Sequence, residues 1–288
     1  MTYGTGNQPQ FAVAADVNGD NKLDIIVANL WGNSVSVFLN KGNGTFASQA
    51  MYPAMTAPIS VTAGDVNGDN KVDIIVANYG SHNVGVLLNN GDGTFTPQVT
   101  YPAGNTTNSV VTVDVNGDNK LDIIASNSVS NDVSVFLNNG DGTFASHVTY
   151  PTGNTPRSVT TADVNGDSKA DIIVANMGSN NVRVLLNNGN GIFTSQITYS
   201  TGFSPYSVTT ADINGDSKLD LVVANAGSNY ISVLRGNGNG TFAAQVTYST
   251  VSSSSMVVAT DVNGDSLVDI IFMSTSSNSV GVLLAACN

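Results

Sequence analysis

A nine-residue motif, Asp-Val-Asn-Gly-Asp-x-x-x-Asp, occurs six times in this chain, and each copy begins 49 residues after the previous one. Only the second position varies, since the fifth copy has Ile213 in place of valine. A constant period of this length is typical of repeat architectures, in which each repeat packs on its neighbours. The unbroken period therefore predicts one domain over residues 1–288.

The fourth repeat shows what one unit contains. Residues 158–163 alternate small polar and apolar side chains, whereas residues 171–176 form a continuous apolar run, and both patterns are typical of strands. Residues 181–186 alternate again, and a turn rich in Asn and Gly leads to a more polar strand over residues 193–199. We name these four strands A to D in chain order.

Four short antiparallel strands without a helical pattern are the content of a propeller blade. The sequence therefore predicts an all-β fold, a six-bladed β-propeller of 49-residue, four-stranded repeats. A parallel β-helix is the alternative, but its coils are usually shorter and its turns do not favour Asn-Gly hairpins. Independent sandwiches are disfavoured because 49 residues bury too little core to be stable alone.

The last repeat stops before a fourth strand, whereas the other repeats continue into Asn-Gly-x-Gly-x-Phe or a close variant of it. We therefore expect the last blade to be incomplete or closed by the N-terminal residues, Met1 to Tyr3, which align with the end of strand D. An unpaired strand edge favours association. The chain is accordingly expected to be a monomer or to associate through its last blade.

The acidic residues are concentrated in the repeated motif. All 21 are aspartates, and six motifs with three aspartates each account for 18 of them. Carboxylates this close together repel one another, so a bound cation would stabilise them. The formal charge is −12, which six divalent cations would bring to about zero.

Positions 1, 3, 5 and 9 of each motif carry oxygen side chains, and position 7 offers its backbone carbonyl group. All-oxygen ligands favour calcium, because magnesium prefers stricter octahedra and zinc prefers His and Cys. We therefore predict about six Ca²⁺ ions. Their predicted ligands are Asp16, Asn18, Asp20, Lys22 and Asp24; Asp65, Asn67, Asp69, Lys71 and Asp73; Asp114, Asn116, Asp118, Lys120 and Asp122; Asp163, Asn165, Asp167, Lys169 and Asp171; Asp212, Asn214, Asp216, Lys218 and Asp220; and Asp261, Asn263, Asp265, Leu267 and Asp269.

The repeated unit, Asp-Val-Asn-Gly-Asp-x-Lys-x-Asp-Ile-Ile-Val-Ala-Asn followed by Val-x-Val-x-Leu-Asn-x-Gly-x-Gly-x-Phe, resembles the FG-GAP/VCBS repeat. That family includes the β-propeller of integrin α subunits and a fungal lectin propeller. The resemblance covers essentially the whole chain. It implies a propeller with calcium in the loop between strands A and B, and it implies less about activity, because members include adhesion receptors, lectins and domains attached to enzymes.

Two questions about the metal loop stay open. Related loops often have Gly at position 6, but here the first three loops have Asn and the last three have Ser168, Ser217 and Ser266, so calcium affinity is expected to be weaker in the last three. An Asx-rich turn without an ion is the alternative. Identical sites in every repeat favour a structural role for calcium over a signalling role.

The repeats differ most at the end of each blade opposite the metal loop. There the first residue of strand A and the turn between strands B and C change from copy to copy, which suggests that this face binds a ligand. Free drift of solvent-exposed loops is the alternative. The candidate ligand-binding residues are Trp31, Tyr79, His82, Asn108, Asp132, Arg157, Tyr206 and Tyr230. The regularly spaced Tyr and Phe residues near strand D are interpreted as packing residues instead.

A carbohydrate or a protein ligand fits these residue types, and the expected function is an extracellular, calcium-stabilised, lectin-like or adhesion module. A purely structural spacer of a larger surface protein is the alternative. A polysaccharide-active enzyme has less support, because the chain has no glutamate and its two histidines lie at non-equivalent positions. We expect no nucleic-acid partner, since there is no basic stripe, and no membrane insertion, since no apolar run is long enough. Secretion or a cell-surface location is expected because weak calcium sites fill only outside the cell.

Overall fold

The computed structural model describes residues 1–285, apart from the side chains of residues 195 and 196. It consists of two compact units, of which the first is Met1–Tyr150 and the second begins at Pro151. The prediction that the chain forms a single domain stays a prediction.

Six antiparallel sheets follow one another along the chain, and their strands are hydrogen-bonded in the order A-B-C-D. The A strands are β1 (Pro9–Ala15), β5 (Pro58–Gly64), β9 (Thr107–Val113), β13 (Pro156–Ala162), β17 (Pro205–Ala211) and β21 (Met256–Thr260). The B strands are β2 (Asp24–Asn29), β6 (Asp73–Asn78), β10 (Asp122–Asn127), β14 (Asp171–Asn176), β18 (Asp220–Asn225) and β22 (Asp269–Ser274).

The outer strands complete each sheet. The C strands are β3 (Ser34–Phe38), β7 (Asn83–Leu87), β11 (Asp132–Phe136), β15 (Asn181–Asn187), β19 (Tyr230–Leu234) and β23 (Ser279–Leu283). The D strands are β4 (Ala50–Pro53), β8 (Val99–Pro102), β12 (Val148–Pro151), β16 (Phe193–Ser200) and β20 (Val246–Ser249). A single turn of 3-10 helix, Met177–Ser179, follows β14. The sheets are blades of the β-propeller class, as the 49-residue period predicts.

The sixth sheet has three strands within residues 1–285, whereas the other five have four. Within the described residues this agrees with the prediction of a last blade that is incomplete or closed by the N-terminal residues.

Hydrophobic burial explains why strand B is apolar throughout. Every residue of β6, β10, β14 and β18 is buried, because both faces of strand B are covered. Strand D is mostly exposed and correspondingly polar. Clusters of Ile, Val and Leu form the cores, two in the first unit and two in the second among the described residues.

An aromatic pair joins consecutive blades. Tyr52 at the end of β4 meets Phe95, in the C–D turn of the next blade, edge to face at 5.2 Å between ring centroids. The same pair recurs as Tyr101 with Phe144 at 5.3 Å and as Tyr199 with Phe242 at 5.4 Å. Such contacts add to the stability gained from burial alone. These Tyr and Phe residues are packing residues, as their fixed spacing predicts.

A buried asparagine adds a polar contact between blades. Asn89, at the start of a C–D turn, donates from Nδ2 to the carbonyl oxygen of Val17 in the preceding blade and to that of Val72 in its own, both at 2.8 Å. Asn138 repeats this with Val66 and Leu121 at 2.9 and 2.8 Å. The C–D turn of one blade is thereby fixed to the A–B loop of the blade before it.

Tyr3 occupies the corresponding place against the first blade. Its ring contacts Phe46 at 5.7 Å and Phe38 at 6.1 Å, and its hydroxyl accepts a hydrogen bond from the Phe46 amide at 3.0 Å. The Phe242 amide donates to Tyr199 in the same manner at 3.1 Å. Tyr3 therefore makes the same kind of contacts as the strand D tyrosines with which it aligns in sequence.

Replacing Asn89 with alanine should lower the free energy of unfolding by about 1–3 kcal/mol, because the buried carbonyl group of Val17 and the partly buried one of Val72 lose their donor. Asn40 is the matched control, since its Nδ2 donates to Leu23 of its own blade. Urea denaturation of Asn89→Ala and Asn40→Ala measures the difference. Equal losses in the two variants would show that the contact between blades adds nothing.

Candidate functional site

Two regions of each blade carry the predicted functional residues. The Asp loop joins strands A and B and contains the nine-residue motif, as residues 16–24 do in the first blade. The linker end lies at the opposite end of the strands and consists of the B–C turn together with the linker that enters strand A.

The first aspartate of the motif caps the Asp loop. In the second blade, Asp65 Oδ1 accepts hydrogen bonds from the amides of Asn67, Gly68 and Asp69 at 3.2, 2.7 and 3.3 Å. Its Oδ2 accepts from the Asn70 amide at 2.7 Å. The loop is a tight Asx turn in which one carboxylate accepts hydrogen bonds from four backbone amides.

The last aspartate of the motif is fully buried in all six blades. In the second blade, Asp73 Oδ2 accepts from the Val66 amide at 2.9 Å, and Oδ1 accepts from the Asn89 amide at 2.8 Å. One buried carboxylate therefore holds the Asp loop and the C–D turn together. This second role of position 9 is not evident from its predicted use as a metal ligand.

Position 6 of every Asp loop has a left-handed backbone. The φ angles of Asn21, Asn70, Asn119, Ser168, Ser217 and Ser266 lie between 60° and 68°. The serines adopt the same conformation as the asparagines, although a left-handed backbone is less favourable for serine. The prediction of weaker calcium affinity in the last three loops is untested by this geometry.

The lysine at position 7 pairs with the aspartate at position 5 in the first four loops. The Nζ–Oδ2 distances are 3.0 Å for Lys22 with Asp20 and 3.4 to 3.7 Å in the next three. The Lys22 ammonium holds the pKa of Asp20 below its usual value. Within residues 1–285, no three acidic or histidine side chains converge on one point.

Burial changes the titration of the position 9 carboxyls. It raises the pKa of Asp73 from 3.8 to about 6, and the charges of Asp69 and Asp65 add to the shift. Burial raises the pKa values of Asp122, Asp171 and Asp220 in the same direction. Burial is therefore the main reason why these carboxyls are harder to ionise, and the other carboxylates of the loop contribute in the same direction.

The linker end is a rigid hydrogen-bonded frame. The fourth residue of a B–C turn accepts a hydrogen bond from the linker to the next blade: Asn33 Oδ1 from the Ala57 amide at 2.9 Å, and His82 Nδ1 from the Thr106 amide at 2.9 Å. Asn180 Oδ1 accepts from Ser204 at 2.8 Å in the second unit. His82, a predicted ligand residue, thus has a structural role as well.

The predicted ligand residues differ in their exposure. Trp31 is 65% exposed and Tyr79 is 40% exposed, so both present an aromatic surface to solvent. Asn108 is only 4% exposed, and Asp132 accepts a hydrogen bond from Asn127 Nδ2 at 2.7 Å within its own blade. The first two residues are available for ligand contact, whereas the last two support the frame.

Two of the predicted residues, Arg157 and Tyr206, contact each other in the second unit. The Arg157 guanidinium lies 4.4 Å from the centre of the Tyr206 ring, and it also donates to the Tyr206 hydroxyl. Tyr230 lies beside Gly202, where an added Cβ would be 2.9 Å from its ring. The cation–π contact of Arg157 fixes the orientation of the Tyr206 ring.

Phe203 follows Gly202, which contacts Tyr230, and it is not among the predicted residues. It is 66% exposed, yet its amide donates to Ser228 Oγ at 2.9 Å and its carbonyl accepts from the Gly227 amide at 2.9 Å. The corresponding residues of other linkers are polar, such as Asn105 and Asn154. An apolar residue at a position that is otherwise Asn, Thr or Ser was the signal that would have identified it.

The chain matches the model of a known family of repeats. A family model described as an FG-GAP-like repeat matches residues 16–76, 65–125, 114–174, 163–223 and 212–272. The chain therefore belongs to the FG-GAP-like repeat family, as its motifs indicate. A comparison with curated protein sequences finds no match.

A lectin from Agrocybe aegerita that specifically recognises non-reducing terminal N-acetylglucosamine is similar in structure. It is 25% identical, with a TM-score of 0.65, over 93% of this chain and 75% of the lectin. The biofilm matrix protein Bap1 of V. cholerae is 21% identical, with a TM-score of 0.53, over 89% of this chain and 42% of that protein. Virginiamycin B lyase of Staphylococcus aureus is 13% identical, with a TM-score of 0.66, over 97% of this chain and 82% of the lyase. The last two show the fold alone.

The repeat family and the lectin support a binding module as the general class of function. Within the described residues, no helix has the length and apolar character needed to cross a bilayer.

In the presence of chelator, the contribution of Asp73 to the free energy of unfolding should fall as pH rises from about 4 to 6. The reason is that the pKa of Asp73 is about 6 in the folded state and 3.8 in the unfolded state. The folded state binds the extra proton in this window, so the free energy of unfolding falls with pH and then levels off. Thermal unfolding of the wild type and of Asp73→Asn across this range isolates the contribution. A variant whose pH profile keeps the wild-type slope would contradict the assignment to Asp73.

Proposed function

We propose that the chain is a lectin-like module that binds a carbohydrate at the linker end of its blades. The observation that carries the proposal is the aromatic group of the second unit, in which exposed Phe203 lies on a hydrogen-bonded frame near Tyr230. The similarity to a lectin that recognises N-acetylglucosamine supports it independently. A rigid frame reduces the entropy lost on binding.

The chemistry of this group suits a sugar. An aromatic face packs against the apolar face of a pyranose ring, and nearby polar groups bond its hydroxyls. Arg157, in β13 (Pro156–Ala162), is a further candidate hydrogen-bond donor, and its contact with Tyr206 fixes the guanidinium. Terminal sugars with an N-acetyl group are the first candidates, because the related lectin recognises one.

The first unit also has exposed apolar residues at the linker end. Trp31 is 65% exposed, Tyr79 is 40% exposed and Met55, in the linker before the second blade, is 44% exposed. The Met55 amide donates to Gln98 Oε1 at 3.0 Å, which fixes its backbone. Exposed apolar residues of this size also mark protein interfaces, so a protein ligand is the second candidate.

We infer a binding role without catalysis. His82 Nδ1 accepts a hydrogen bond from the Thr106 amide of the linker, and the His147 ring packs 5.1 Å from the Phe136 ring. The position 9 aspartates hold backbone amides, and the sequence has no glutamate. Neither the histidines nor the position 9 aspartates are therefore assigned a role as general acid or base.

We also propose that each Asp loop binds one Ca²⁺ ion, which would stabilise the loop outside the cell. The donors are the oxygen side chains at positions 1, 3, 5 and 9, with the carbonyl of position 7. Carboxylate oxygens that already accept an amide proton retain a second lone pair for a cation. Burial is the main cause of the raised pKa values at position 9, and the loop carboxylates add to it, so a cation in the loop would offset that second contribution.

Phe203→Ala and Trp31→Ala should weaken glycan binding by about tenfold or more, because exposed aromatic anchors carry much of the binding energy at such sites. A glycan array identifies the sugar, and titration calorimetry measures the loss. Melting temperatures should change little, since both side chains are exposed.

Asn139→Ala and Asn188→Ala are the matched controls, because these exposed residues lie in C–D turns, at the opposite end of the blades. They should leave glycan binding unchanged. Loss of binding in the controls, with none in the linker-end variants, would move the site to the C–D turns. Binding to proteins but to no glycan would favour an adhesion role.

Calcium titration of the chelator-treated protein should show about six ions per chain and a higher melting temperature. Asp118→Ala should bind one ion fewer, because it removes a position 5 ligand whose side chain is exposed. In chelator it should melt close to the wild type, whereas Asp122→Ala should be destabilised with or without calcium, since Asp122 holds two backbone amides at 2.9 and 2.8 Å. Identical melting of the wild type with and without calcium would overturn the calcium proposal.

A further inference from the structure

The B–C turn of the second blade, residues 79–82, is bonded through His82 to the linker that leads to the third blade. This linker consists of residues 103–106. The His82 carbonyl oxygen accepts a hydrogen bond from the Ala103 amide at 3.1 Å, and His82 Nδ1 accepts one from the Thr106 amide at 2.9 Å. One residue thus holds both ends of the linker, and the second of these bonds depends on a ring nitrogen that can be protonated.

The other blades have an asparagine in the place of His82. The 49-residue period aligns it with Asn33, Asn131, Asn180, Asn229 and Asn278. Asn33 Oδ1 and Asn180 Oδ1 accept a linker amide at 2.9 and 2.8 Å, as His82 Nδ1 does. The repeat therefore uses a hydrogen-bond acceptor at this position, and only in the second blade is that acceptor titratable.

Protonation removes the acceptor that His82 provides. A neutral imidazole donates from one ring nitrogen and accepts at the other, so acceptance at Nδ1 places the proton on Nε2. In the imidazolium form both nitrogens carry a proton, and two N–H groups would face each other. Release of the Thr106 amide is thus coupled to the uptake of a proton, so it becomes more favourable as pH falls. Imidazoles ordinarily gain this proton near about pH 6.5.

Thr106 has a strained backbone that depends on its contacts. Its φ is 66°, in the left-handed region, which is unfavourable for a β-branched residue. Ala57 and Ser204, which asparagines hold at the same position, have φ values of 55° and 52° and are not β-branched. Such strain persists only while the surrounding structure opposes its relaxation. Thr106 is also 6% exposed, so its amide cannot replace His82 with water unless the linker moves.

The elements packed around His82 carry few titratable groups. Its own turn contributes Tyr79, and β8 contributes Tyr101, whose hydroxyl donates to a C–D turn carbonyl at 3.3 Å. The third blade contributes Asp132, whose Oδ1 accepts a hydrogen bond within its own blade at 2.7 Å. The adjoining linkers and strands β5, β7 and β9 contribute none. Among the described residues His82 forms no ion pair, and its side chain is exposed, so the pH of the solvent controls it.

We propose that the hydrogen bond between His82 and Thr106 is a pH-sensitive switch. At neutral pH it fixes the linker to the second blade, and protonation of His82 below about pH 6 releases residues 104–106. The Thr106 carbonyl still accepts from the Ser128 amide of the third blade at 2.9 Å, so the linker separates from the second blade alone. Acid therefore loosens the linker end beside Tyr79, which is 40% exposed, while the blades held by asparagine keep their frame.

Nuclear magnetic resonance of the whole chain, in the presence of calcium, measures the switch directly. At about pH 7.5, the nitrogen shifts of His82 should show an unprotonated Nδ1. At about pH 5, the hydrogen-exchange protection of the Thr106 amide, corrected for the intrinsic rate at each pH, should be about tenfold lower or more. The Ala57 amide, which Asn33 holds, is the internal reference and should keep its protection.

His82→Asn is the matched variant, because asparagine is the residue of the other blades at this position and the variant is expected to fold. Its Thr106 amide should keep the same protection at both pH values. The fall in melting temperature from about pH 7.5 to about pH 5 should be smaller than in the wild type by about 2 °C or more. Asp73, with a pKa of about 6, titrates in the same range, but it is common to both proteins and cancels in the difference.

The other histidine of the chain, His147, provides the control for histidine titration in general. The equivalent positions of three other blades carry Gln49, Gln98 and Gln245, so His147→Gln is the conservative replacement. This variant should retain the pH dependence of the Thr106 amide, because His147 packs on Phe136 and not on the linker.

Equal protection of the Thr106 amide at the two pH values in the wild type overturns the proposal, as does a protonated Nδ1 at about pH 7.5. A loss of protection that persists in His82→Asn, or that disappears in His147→Gln, also overturns it, because another group is then responsible. None of these measurements includes a glycan, so their outcome is independent of the proposed binding function.

Discussion

The buried carboxylate at position 9 of the motif is the interaction on which each blade depends. Asp73 is fully enclosed, and its two oxygens accept amides from the Asp loop and from the C–D turn. A buried charge is stable only when such donors surround it. The Asp loop joins strands A and B, and the C–D turn joins strands C and D. One side chain therefore links the two hairpins of the sheet.

The C–D turn also connects its blade to the preceding one. Asn89 begins the turn and donates to Val17 of the neighbouring Asp loop, and Phe95 ends the turn within the neighbour's core cluster. The aspartates at positions 1 and 5 differ from position 9, since Asp65 caps exposed amides and Asp69 pairs with a lysine. The same motif therefore combines a structural carboxylate with more exposed ones, and the proposed calcium ion requires both.

Much of the blade could be predicted from sequence because its signals are local and repeated. The continuous apolar run of 171–176 coincides with β14, and the fixed spacing of Tyr52 and Phe95 indicates packing. The candidate site was less predictable. The exposure of Phe203 and the engagement of His82 by Thr106 depend on contacts between a linker and a turn about 25 residues apart, which no local pattern encodes.

The spacing of the contacts between blades has a genetic consequence. The hydrogen bonds that fix one turn to the loop before it span 72 residues, and the hydrogen bonds between Tyr and Phe span 43, in whichever repeat they occur. Unequal crossing-over that adds or removes one whole 49-residue unit leaves every such spacing intact, whereas a single-codon insertion inside a unit shifts strand register and turns buried side chains outward. Genes of this kind should therefore vary in copy number far more readily than in the length of a repeat.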